Sequence, residues 1–359
     1  MLKRKTNQLL AASIAFLTTA GFMGSASAAW EGCCPENSCY RSMCAGLNGE
    51  LYLDFILWQT NIDGTEFARQ DGDSGSVSST VTNDGAIHDV GCSWDPGFRV
   101  GMLMNLGKCC WDFQVQYTYH YERFGESAVV TFLAPTGLDG LIYNNGNMEN
   151  ITAADGNWDN RLQVLDVGLG KTFEACGCFE FRPHLGIKAT WQKLKYRVIY
   201  DLANLVTQNG VRDTLNFRTD FEGVGLRGGF DVAWQVCSCM RILGGVSLSS
   251  VWSELCLQRI DIRETLTGGV PSLPVINVDL KENVCVLVPV FEFNFGFRWD
   301  TCLCCRYPAF VFLGWENQVW FDLNRLILFG ASTLSSNYEF GPRGNVSYQG
   351  LVVRLGSGF

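Results

Sequence analysis

Cysteine is the residue type in this chain whose number and spacing could do chemistry. The chain holds 16 cysteines, and the stretch DTCLCCRY at 300–307 places three of them within four residues. EACGC at 174–178, VCSCM at 236–240 and KCC at 108–110 repeat the grouping on a smaller scale. Clustered thiols can bind a metal, act as redox catalysts or form disulfide crosslinks. The choice among these depends on the elements that position each cluster.

The first residues have the pattern of an export signal. Lys3, Arg4 and Lys5 precede an apolar stretch at 9–22, and GSASA follows with small residues at Ala26 and Ala28. This pattern predicts a signal peptide over 1–28, and the apolar stretch is too short for a transmembrane helix. Export to an oxidising compartment permits disulfides. The formal net charge of -9 disfavours binding to the negatively charged backbone of nucleic acid, so no nucleic-acid partner is expected.

Strict alternation of apolar and polar residues dominates the remaining chain. In WDFQVQYTYHYE, at 111–122, aromatic and aliphatic residues occupy every odd position, and polar residues occupy every even one. Such a period of two predicts a β-strand with one apolar and one polar face. Similar segments lie near 49–59, 96–106, 110–123, 157–173, 178–200, 217–236, 239–261, 283–300, 306–323 and 346–359.

Two all-β architectures use this pattern, a soluble sandwich and a transmembrane barrel. The predicted turns at 107–109, 174–177, 237–238 and 301–305 are short, whereas loops at 60–95, 124–156, 201–216, 262–282 and 324–345 are long. Aromatic girdles are expected near the short turns (Trp111, Trp234, Trp299) and near the long loops (Trp58, Trp191, Trp252). These features favour a transmembrane antiparallel β-barrel over 49–359 with about ten strands (range roughly 8–16). The terminal Phe359 of its last strand resembles a barrel-assembly signal.

Several segments in this order resemble a known family. They are ELYLDFILWQTNIDGTEFA, WDPGFRVG, RLQVLDVGLGKTF, FEFRPHLGIKATW, GVGLRGGFDVAW and FGFRWDTC. The chain resembles the pore-forming outer membrane proteins that include the major outer membrane protein of Legionella. Its cysteine content, above all EGCCPENSCYRSMC at 31–44, is similar to that of relatives in chlamydia-related bacteria. The resemblance implies an outer membrane barrel with a porin-like role.

A barrel gives the cysteine clusters a common place. Short turns of exported barrels face the periplasm, and the segment 29–48 precedes the first strand, so both are expected there. CC and CxC spacings favour crosslinks between different turns or molecules over a zinc site or a redox pair, although these two alternatives stay open. No metal site and no cofactor are expected. The periplasmic disulfide candidates are Cys33, Cys34, Cys39, Cys44, Cys109, Cys110, Cys176, Cys178, Cys237, Cys239, Cys302, Cys304 and Cys305.

The polar faces of the predicted strands carry charges of both signs, which would line the lumen. They permit two interpretations, a charged constriction that sorts solutes or a plug of ion pairs. The predicted lumen residues are Arg99, Arg182, Lys188, Arg227, Arg241, Arg298 and Arg354, with Asp54, Asp112, Asp166, Glu180, Asp231, Glu292 and Glu316.

An enzymatic function is not expected. GVGLRG at 223–228 fits a dinucleotide-binding pattern but lies inside a strand, and His88–Asp89 is the only candidate acid–base pair. The sequence instead predicts a porin-like barrel that passes small hydrophilic solutes and ions and stiffens the envelope through disulfides. The alternative is a purely structural or adhesin-like surface barrel with a plugged lumen. Expected partners are outer membrane lipid, the barrel-assembly machinery and disulfide-linked copies or other cysteine-rich envelope proteins. Long loops would be extracellular.

Overall fold

The structure is a computed structural model that describes most of the chain. The described residues are 49–71, 85–107, 110–129, 138–140, 148–175, 178–204, 209–237, 239–268, 270–303, 307–329, 338–340 and 344–359. The predicted signal peptide, the segment 29–48 and the cysteines at 33, 34, 39 and 44 lie outside them. Within the described part, no helix is long and apolar enough to cross a membrane.

Ten long strands make up the body of the molecule. They are β1 (Gly49–Ile62), β2 (Trp94–Asn105), β3 (Trp111–Val129), β4 (Ala153–Lys171), β5 (Phe179–Asn204), β6 (Asn209–Cys237), β7 (Met240–Thr267), β8 (Val275–Leu303), β9 (Tyr307–Asn324) and β10 (Gly344–Gly358). Each strand pairs antiparallel with its neighbours in the chain, and β10 pairs with β1. The sheet is therefore a closed ten-stranded antiparallel barrel, which confirms the predicted fold class.

The closing seam lies between the two ends of the barrel sequence. The Gly49 amide donates to the Phe359 carbonyl at 3.0 Å, and the Phe359 amide donates to the Gly49 carbonyl at 2.9 Å. At the same seam, Asp54 of β1 stands directly opposite Arg354 of β10 on one side and Arg99 of β2 on the other. The position of Phe359 beside the first strand is as predicted.

The connections divide the barrel into two rims. Connections at 106–110, 172–178, 238–239 and 304–306, together with the residues at both ends of the barrel, lie at the short-turn rim. The opposite, long-loop rim carries the connections at 63–93, 130–152, 205–208, 268–274 and 325–343. Short strands at Ala68–Asp71, Gly85–His88, Leu138–Gly140 and Met148–Ile151 form a separate four-stranded sheet in two of these loops.

Two of the predicted long loops are mostly strand. The loop predicted at 201–216 is reduced to a connection at 205–208, and the loop predicted at 262–282 is reduced to one at 268–274. The reason is that β5, β6, β7 and β8 are each 26 to 29 residues long. About 9–11 residues are enough to cross a membrane as a tilted strand. The extensions continue the hydrogen-bond ladder outside the lipid, where the outer face is wet and loses its apolar alternation.

The outer wall carries a continuous apolar belt. On β1, Leu51, Leu53 and Phe55 are each more than half exposed, and the inward neighbours Tyr52, Asp54 and Ile56 are buried. Gly101 of β2 lies opposite Tyr52, whose ring packs so closely over it that a Cβ would come within 2.2 Å of the ring. An apolar outer face with a polar or packed inner face is the arrangement of a barrel in lipid.

The predicted girdle is correct at five tryptophans and wrong at Trp58. Trp111, Trp234, Trp299, Trp191 and Trp252 are exposed on the outer wall, whereas Trp58 is 0% exposed. The physical reason is the two-residue period: Trp58 shares the inner face with Asp54 and Ile56, and Leu57 faces lipid. Trp94 and Trp315, which meet edge to face with ring centroids 6.0 Å apart, are exposed on the outer wall near the long-loop rim.

This placement predicts unequal costs for removing two tryptophans. Trp58→Ala should lower the free energy of unfolding by about 3–5 kcal/mol, because it leaves a cavity that the barrel wall cannot fill. Trp191→Ala, the matched control on the outer wall, should cost less because lipid or detergent chains occupy the vacated space. Heat-modifiable gel mobility across a urea series in micelles measures both. Equal losses would contradict the inward placement of Trp58.

Candidate functional site: the barrel interior

The interior contains two layers of different chemistry. All fourteen predicted lumen residues lie on the inner wall, where they line a cavity or pair with residues that do. They belong to the half of the barrel nearer the short-turn rim, which we name the charged layer. The half nearer the long-loop rim is filled by large apolar side chains and is named the aromatic layer. The alternation of the strands positions both.

The charged layer is a set of ion pairs that join strands across the lumen. At the short-turn end, Arg298 of β8 donates to both oxygens of Glu50 on β1, at 3.0 and 2.6 Å. Asp300 accepts from Arg298 at 2.8 Å and from Arg241 at 2.9 Å. Arg241 also lies 4.0 Å from Glu180. The mouth on this side is therefore bordered by paired charges.

Arg182 and Arg99 hold two further groups of carboxylates. Arg182 of β5 donates to Asp112 on β3 and, at 2.6 Å, to Asp231 on β6. Arg99 donates to Asp54 at 3.2 Å and to Glu316 on β9 at 2.7 and 2.9 Å. Two parallel hydrogen bonds from a guanidinium to one carboxylate fix geometry as well as charge.

Asp54 is the anchor of the seam. It is 0% exposed and accepts from Arg354 at 2.7 and 2.9 Å in addition to Arg99. The Arg354 guanidinium also lies 4.0 Å from the centre of the Tyr52 ring. A buried carboxylate without such partners would cost several kcal/mol, so these two arginines make the burial of Asp54 possible.

Lys188 marks the boundary between the two layers. Its ammonium is fully buried and lies 2.8 Å from Asp166 and 2.9 Å from Glu292. Glu292 also accepts from Arg227 at 2.9 Å and from the Ser247 hydroxyl at 2.6 Å. On its other side, the Lys188 ammonium lies 6.0 Å from the centre of the Trp320 ring. The charged network thus ends directly against the aromatic layer.

A cavity of about 200 Å³ remains within the charged layer. It is lined by residues of the ion-pair network, together with Tyr52, Gln114, Gln116, His184 and Asn294. A cavity of this size and polarity has room for water and small ions. Its cationic and anionic groups are largely committed to one another, so it carries little excess charge of either sign.

The aromatic layer fills the remaining lumen. It receives buried side chains from every barrel strand except β2. Its largest members are fully or almost fully buried: Trp58, Trp158, Trp320, Tyr196, Tyr200, Tyr348, Phe217 and Phe221, with Phe67 from the first long loop. Their rings meet at angles typical of aromatic packing, such as Phe221 against Trp320 with centroids 6.1 Å apart and an interplanar angle of 86°.

Tyr348 ties opposite walls of the barrel together. Its hydroxyl, on β10, accepts from the Asn160 amide of β4 at 2.6 Å and from the Gln192 amide of β5 at 2.5 Å. β5 stands opposite β10 in a ring of ten strands, so these bonds cross the lumen. Trp58 packs against both Tyr348 and His120, with centroids 5.7 and 5.3 Å away.

Two loop segments fold into the top of the aromatic layer. The Tyr196 hydroxyl donates to the Thr65 carbonyl at 2.8 Å, and the Tyr200 hydroxyl donates to the Phe67 carbonyl at 2.6 Å. From β7, Arg259 donates to the Ile327 carbonyl at 2.9 Å. Backbone in a buried position needs such partners, so the tyrosines and Arg259 hold these loops over the lumen.

Sequence reasoning found the charges and missed the aromatic layer. Tyr348, Trp158 and Trp320 stand at inward positions of β10, β4 and β9, where large aromatic residues interrupt the polar face that the alternation predicts. Glu50 and Asp300 were also missed, because they lie at strand ends. Trp58 lies four residues after Asp54 on β1 and therefore faces the same side of the strand, which identifies it as an inward residue from the sequence alone.

The three histidines lie in different surroundings. His120 is buried in the aromatic layer, with its Nε2 3.6 Å from Glu122. His184 borders the cavity 3.9 Å from Asp231. His88, at the long-loop rim, lies 3.5 Å from Glu126, whereas its neighbour Asp89 accepts from the Gly91 amide. The predicted His88–Asp89 pair is therefore replaced by a His88–Glu126 contact.

Four cysteines with described side chains, Cys110, Cys178, Cys237 and Cys239, lie at the short-turn rim. Cys110 and Cys239 are disulfide-bonded, and Cys178 is a free, exposed thiol. Cys237 and Cys239 have their sulfurs 4.0 Å apart. Cys92, Cys256 and Cys285 are free thiols away from this rim. Cys109, Cys176, Cys304, Cys305 and the side chain of Cys302 lie outside the described residues, and so does the one CxxC spacing of the chain, Cys302 to Cys305.

Comparison with solved structures finds several proteins of low sequence identity. The outer membrane protease OmpT of Escherichia coli has 8% sequence identity and a TM-score of 0.39, over 90% of this chain and 99% of that chain. A FadL homologue of Pseudomonas aeruginosa has 7% identity and a TM-score of 0.25, over 88% and 91%. A mutant of the TodX monoaromatic hydrocarbon channel has 12% identity and a TM-score of 0.28, over 88% and 91%. At these TM-scores the likenesses carry no argument about function.

Comparison with curated proteins finds no match. The family model described as "Legionella pneumophila major outer membrane protein precursor" matches residues 47–355, which include nearly the whole barrel. The closed antiparallel barrel with its apolar outer belt agrees with that assignment. The chain therefore belongs to the Legionella major outer membrane protein family and is an outer membrane β-barrel.

Proposed function

We propose that this protein is a structural and surface barrel of the outer membrane whose lumen is closed at rest. In this proposal the short-turn rim faces the periplasm, where its cysteines crosslink the envelope, and the long loops face the medium. The observation that carries the closed lumen is the pair of hydrogen bonds from Asn160 and Gln192 to the Tyr348 hydroxyl across the aromatic layer.

The barrel size supports the same proposal. Strands about 4.8 Å apart and tilted by about 40° close ten strands at a backbone diameter of about 20 Å. Side chains as large as Trp58, Trp158 and Trp320 then meet their partners from other walls without a continuous gap. Barrels of 16 strands leave an aqueous channel, whereas barrels of about eight fill with side chains. This interior is closer to the filled case.

A diffusion pore is the second candidate, and one observation favours it. Several buried polar atoms of the aromatic layer have no hydrogen-bond partner in the structure, among them the indole nitrogens of Trp58, Trp158 and Trp320 and one oxygen of Glu122. Unsatisfied buried polar atoms cost about 1–3 kcal/mol each. A layer with such costs is easier to rearrange than a purely aliphatic one, and its opening would expose the charged layer to solutes.

Conductance in planar bilayers separates the two candidates. The purified wild-type barrel should show few or no stable open-channel steps. Trp58→Ala/Trp320→Ala/Tyr348→Ala should increase ion conductance several-fold, because it removes the rings that close the lumen. The same measurement on Tyr348→Phe should show a smaller increase than the triple variant, since the ring remains and only the two hydrogen bonds of the hydroxyl across the lumen are lost.

The matched control for this measurement is Trp191→Ala/Trp252→Ala/Trp315→Ala, which removes three aromatic rings from the outer wall. It should leave conductance unchanged. Heat-modifiable gel mobility verifies that every variant forms a folded barrel. Stable, frequent conductance steps from the wild-type protein would reject the closed lumen and favour the diffusion pore.

The crosslinking part of the proposal predicts covalent oligomers. Envelopes treated with a thiol-blocking reagent before lysis should give high-mass species on non-reducing gels, and dithiothreitol should convert them to monomer. Cys178→Ser should reduce these species, because this exposed thiol at the short-turn rim is available to another molecule. Cys92→Ser, a free thiol at the opposite end of the barrel, is the control. A monomer band without reductant would contradict intermolecular bonding.

We also propose that the protein is not an enzyme. His120 is sealed inside the aromatic layer, and His184 stands between Asp231 and the arginines of the charged layer. Only His88 at the long-loop rim lies near both a carboxylate and the outside, and its Nδ1 is 3.5 Å from Glu126. A histidine with a single carboxylate and no nucleophile among its described contacts gives no support for hydrolysis.

A further inference from the structure

The outer wall carries a concentrated group of cations directly beyond the apolar belt. We name it the basic belt; it consists of Arg123 of β3, Arg161 of β4, Lys193, Lys195 and Arg197 of β5, and Arg218 of β6, all exposed. On β5 the outer face passes from Leu185, Ile187 and Trp191 straight to these three cations. Tryptophan marks the membrane interface of barrels, so the basic belt lies at headgroup height.

Strand register brings like charges face to face within this belt. Arg161 stands directly opposite Lys193, and Lys195 stands directly opposite Arg218. Like charges at directly opposed positions destabilise a sheet. Two such pairs side by side on adjacent strands destabilise the folded barrel electrostatically, and a bound anion would remove this destabilisation.

Carboxylates of the chain neutralise only part of this charge. Asp220 pairs with Arg218 at 2.8 Å and stands directly opposite Lys193. Asp159 stands directly opposite both Arg123 and Lys195 and accepts from the Tyr121 hydroxyl at 2.9 Å. Glu222 and Glu254 border the belt on the β6 and β7 side. Within the described part of the chain, no carboxylate forms an ion pair with Arg161, Lys193 or Lys195.

The rest of the wall at this height is different. The cross-strand row of Arg123, Lys195 and Arg218 continues through Gln258 on β7 to Lys281 on β8. Among the described outward residues of β7–β10 and β1 at this level, Lys281 is the one cation, and those of β10 and β1 are Ser347, Gln349, Gln59 and Asn61. The positive charge is thus concentrated on β3–β6 of a chain whose net charge is negative.

We propose that the basic belt binds the phosphate groups of a phosphorylated glycolipid in the outer leaflet, with its acyl chains against the apolar wall below. This rests on the proposed orientation, with the long-loop rim outside. Three observations select this occupant: the belt is continuous with the lipid-facing surface, it lies at headgroup height, and its opposed cation pairs require a multiply charged anion rather than a single carboxylate. Charge-assisted hydrogen bonds from arginine and lysine to phosphate are strong and geometrically specific.

Diphosphoryl lipid A is the probe, titrated into the delipidated protein in non-ionic micelles and followed by native mass spectrometry. Arg161→Gln/Lys193→Gln/Lys195→Gln should raise its Kd by at least about tenfold, and Lys195→Gln alone by a few fold. Lys281→Gln removes the same residue type from the same row on the opposite wall and should leave the Kd unchanged. Monophosphoryl lipid A should bind more weakly than the diphosphoryl form.

The unfolding temperature of the delipidated protein is a second readout, because residues with a merely structural role would lower it when substituted. The triple variant should unfold at the same temperature as the wild type or higher, because it relieves the opposed like charges. Diphosphoryl lipid A should raise the unfolding temperature of the wild type and not that of the triple variant. A triple variant that cannot fold is replaced by Lys195→Gln, whose weakened binding alone tests the site.

Four results would overturn the proposal. The first is an unchanged Kd in the triple variant, and the second is a loss of affinity in Lys281→Gln as large as in the triple variant. The third is binding of phosphatidylglycerol as tight as that of diphosphoryl lipid A and equally weakened in the triple variant. The fourth is displacement of the bound lipid by millimolar inorganic phosphate. The third would assign the belt to anionic lipid in general, and the fourth to free phosphate. Binding in micelles depends neither on lumen conductance nor on the orientation of the barrel in the membrane. Labelling of intact cells with a membrane-impermeant amine reagent tests the orientation separately. A failure here is therefore distinguishable from a failure of the proposed function.

Discussion

The hydrogen-bonding requirement of a backbone in lipid is the constraint on which this structure depends. No water is present in the bilayer core to satisfy an open sheet edge, so the strands must close into a barrel. The seam between Gly49 and Phe359, with its two backbone hydrogen bonds, completes that closure. Closure at ten strands then fixes a narrow lumen. Large inward side chains therefore meet side chains of other strands across the lumen, and the sequence provides counter-charges in one layer and rings in the other.

The two solutions occupy different ends of the barrel for a physical reason. Ion pairs such as Arg298–Glu50 and Arg182–Asp231 lie towards the mouth of the charged layer, where contact with water lowers the cost of holding charges. Deeper in, Lys188 is fully buried and needs two carboxylates and an adjacent indole ring. Beyond it, apolar packing through Trp320, Trp58 and Tyr348 predominates, and the buried Arg259 is held by Asp261 at 2.7 Å.

The barrel and its charged layer could be predicted from the sequence, because both follow from the two-residue alternation of apolar and polar residues. Alternation in WDFQVQYTYHYE or VFEFNFGFRW defines the outer face directly, and the fourteen charged residues follow by parity. The aromatic layer does not follow, because an inward Trp158 or Tyr348 looks like a defect in the pattern until the opposite wall is known. The strand extensions at 201–216 and 262–282 were hidden for a related reason. Outside lipid, the outer face becomes polar, and the alternation that predicts a strand disappears although the hydrogen-bond ladder continues.

The inner and outer walls solve the same electrostatic problem in different ways. Inside, Asp54 is satisfied by two arginines of its own chain, because nothing else can reach it. Outside, Arg161 and Lys193 face each other, and no carboxylate among the described residues forms an ion pair with either. The charges in the lumen are largely paired, whereas several at headgroup height are not, and this difference implies different roles for the two surfaces. Here the free charge stands on the outer wall, where it can act on the membrane that surrounds the protein.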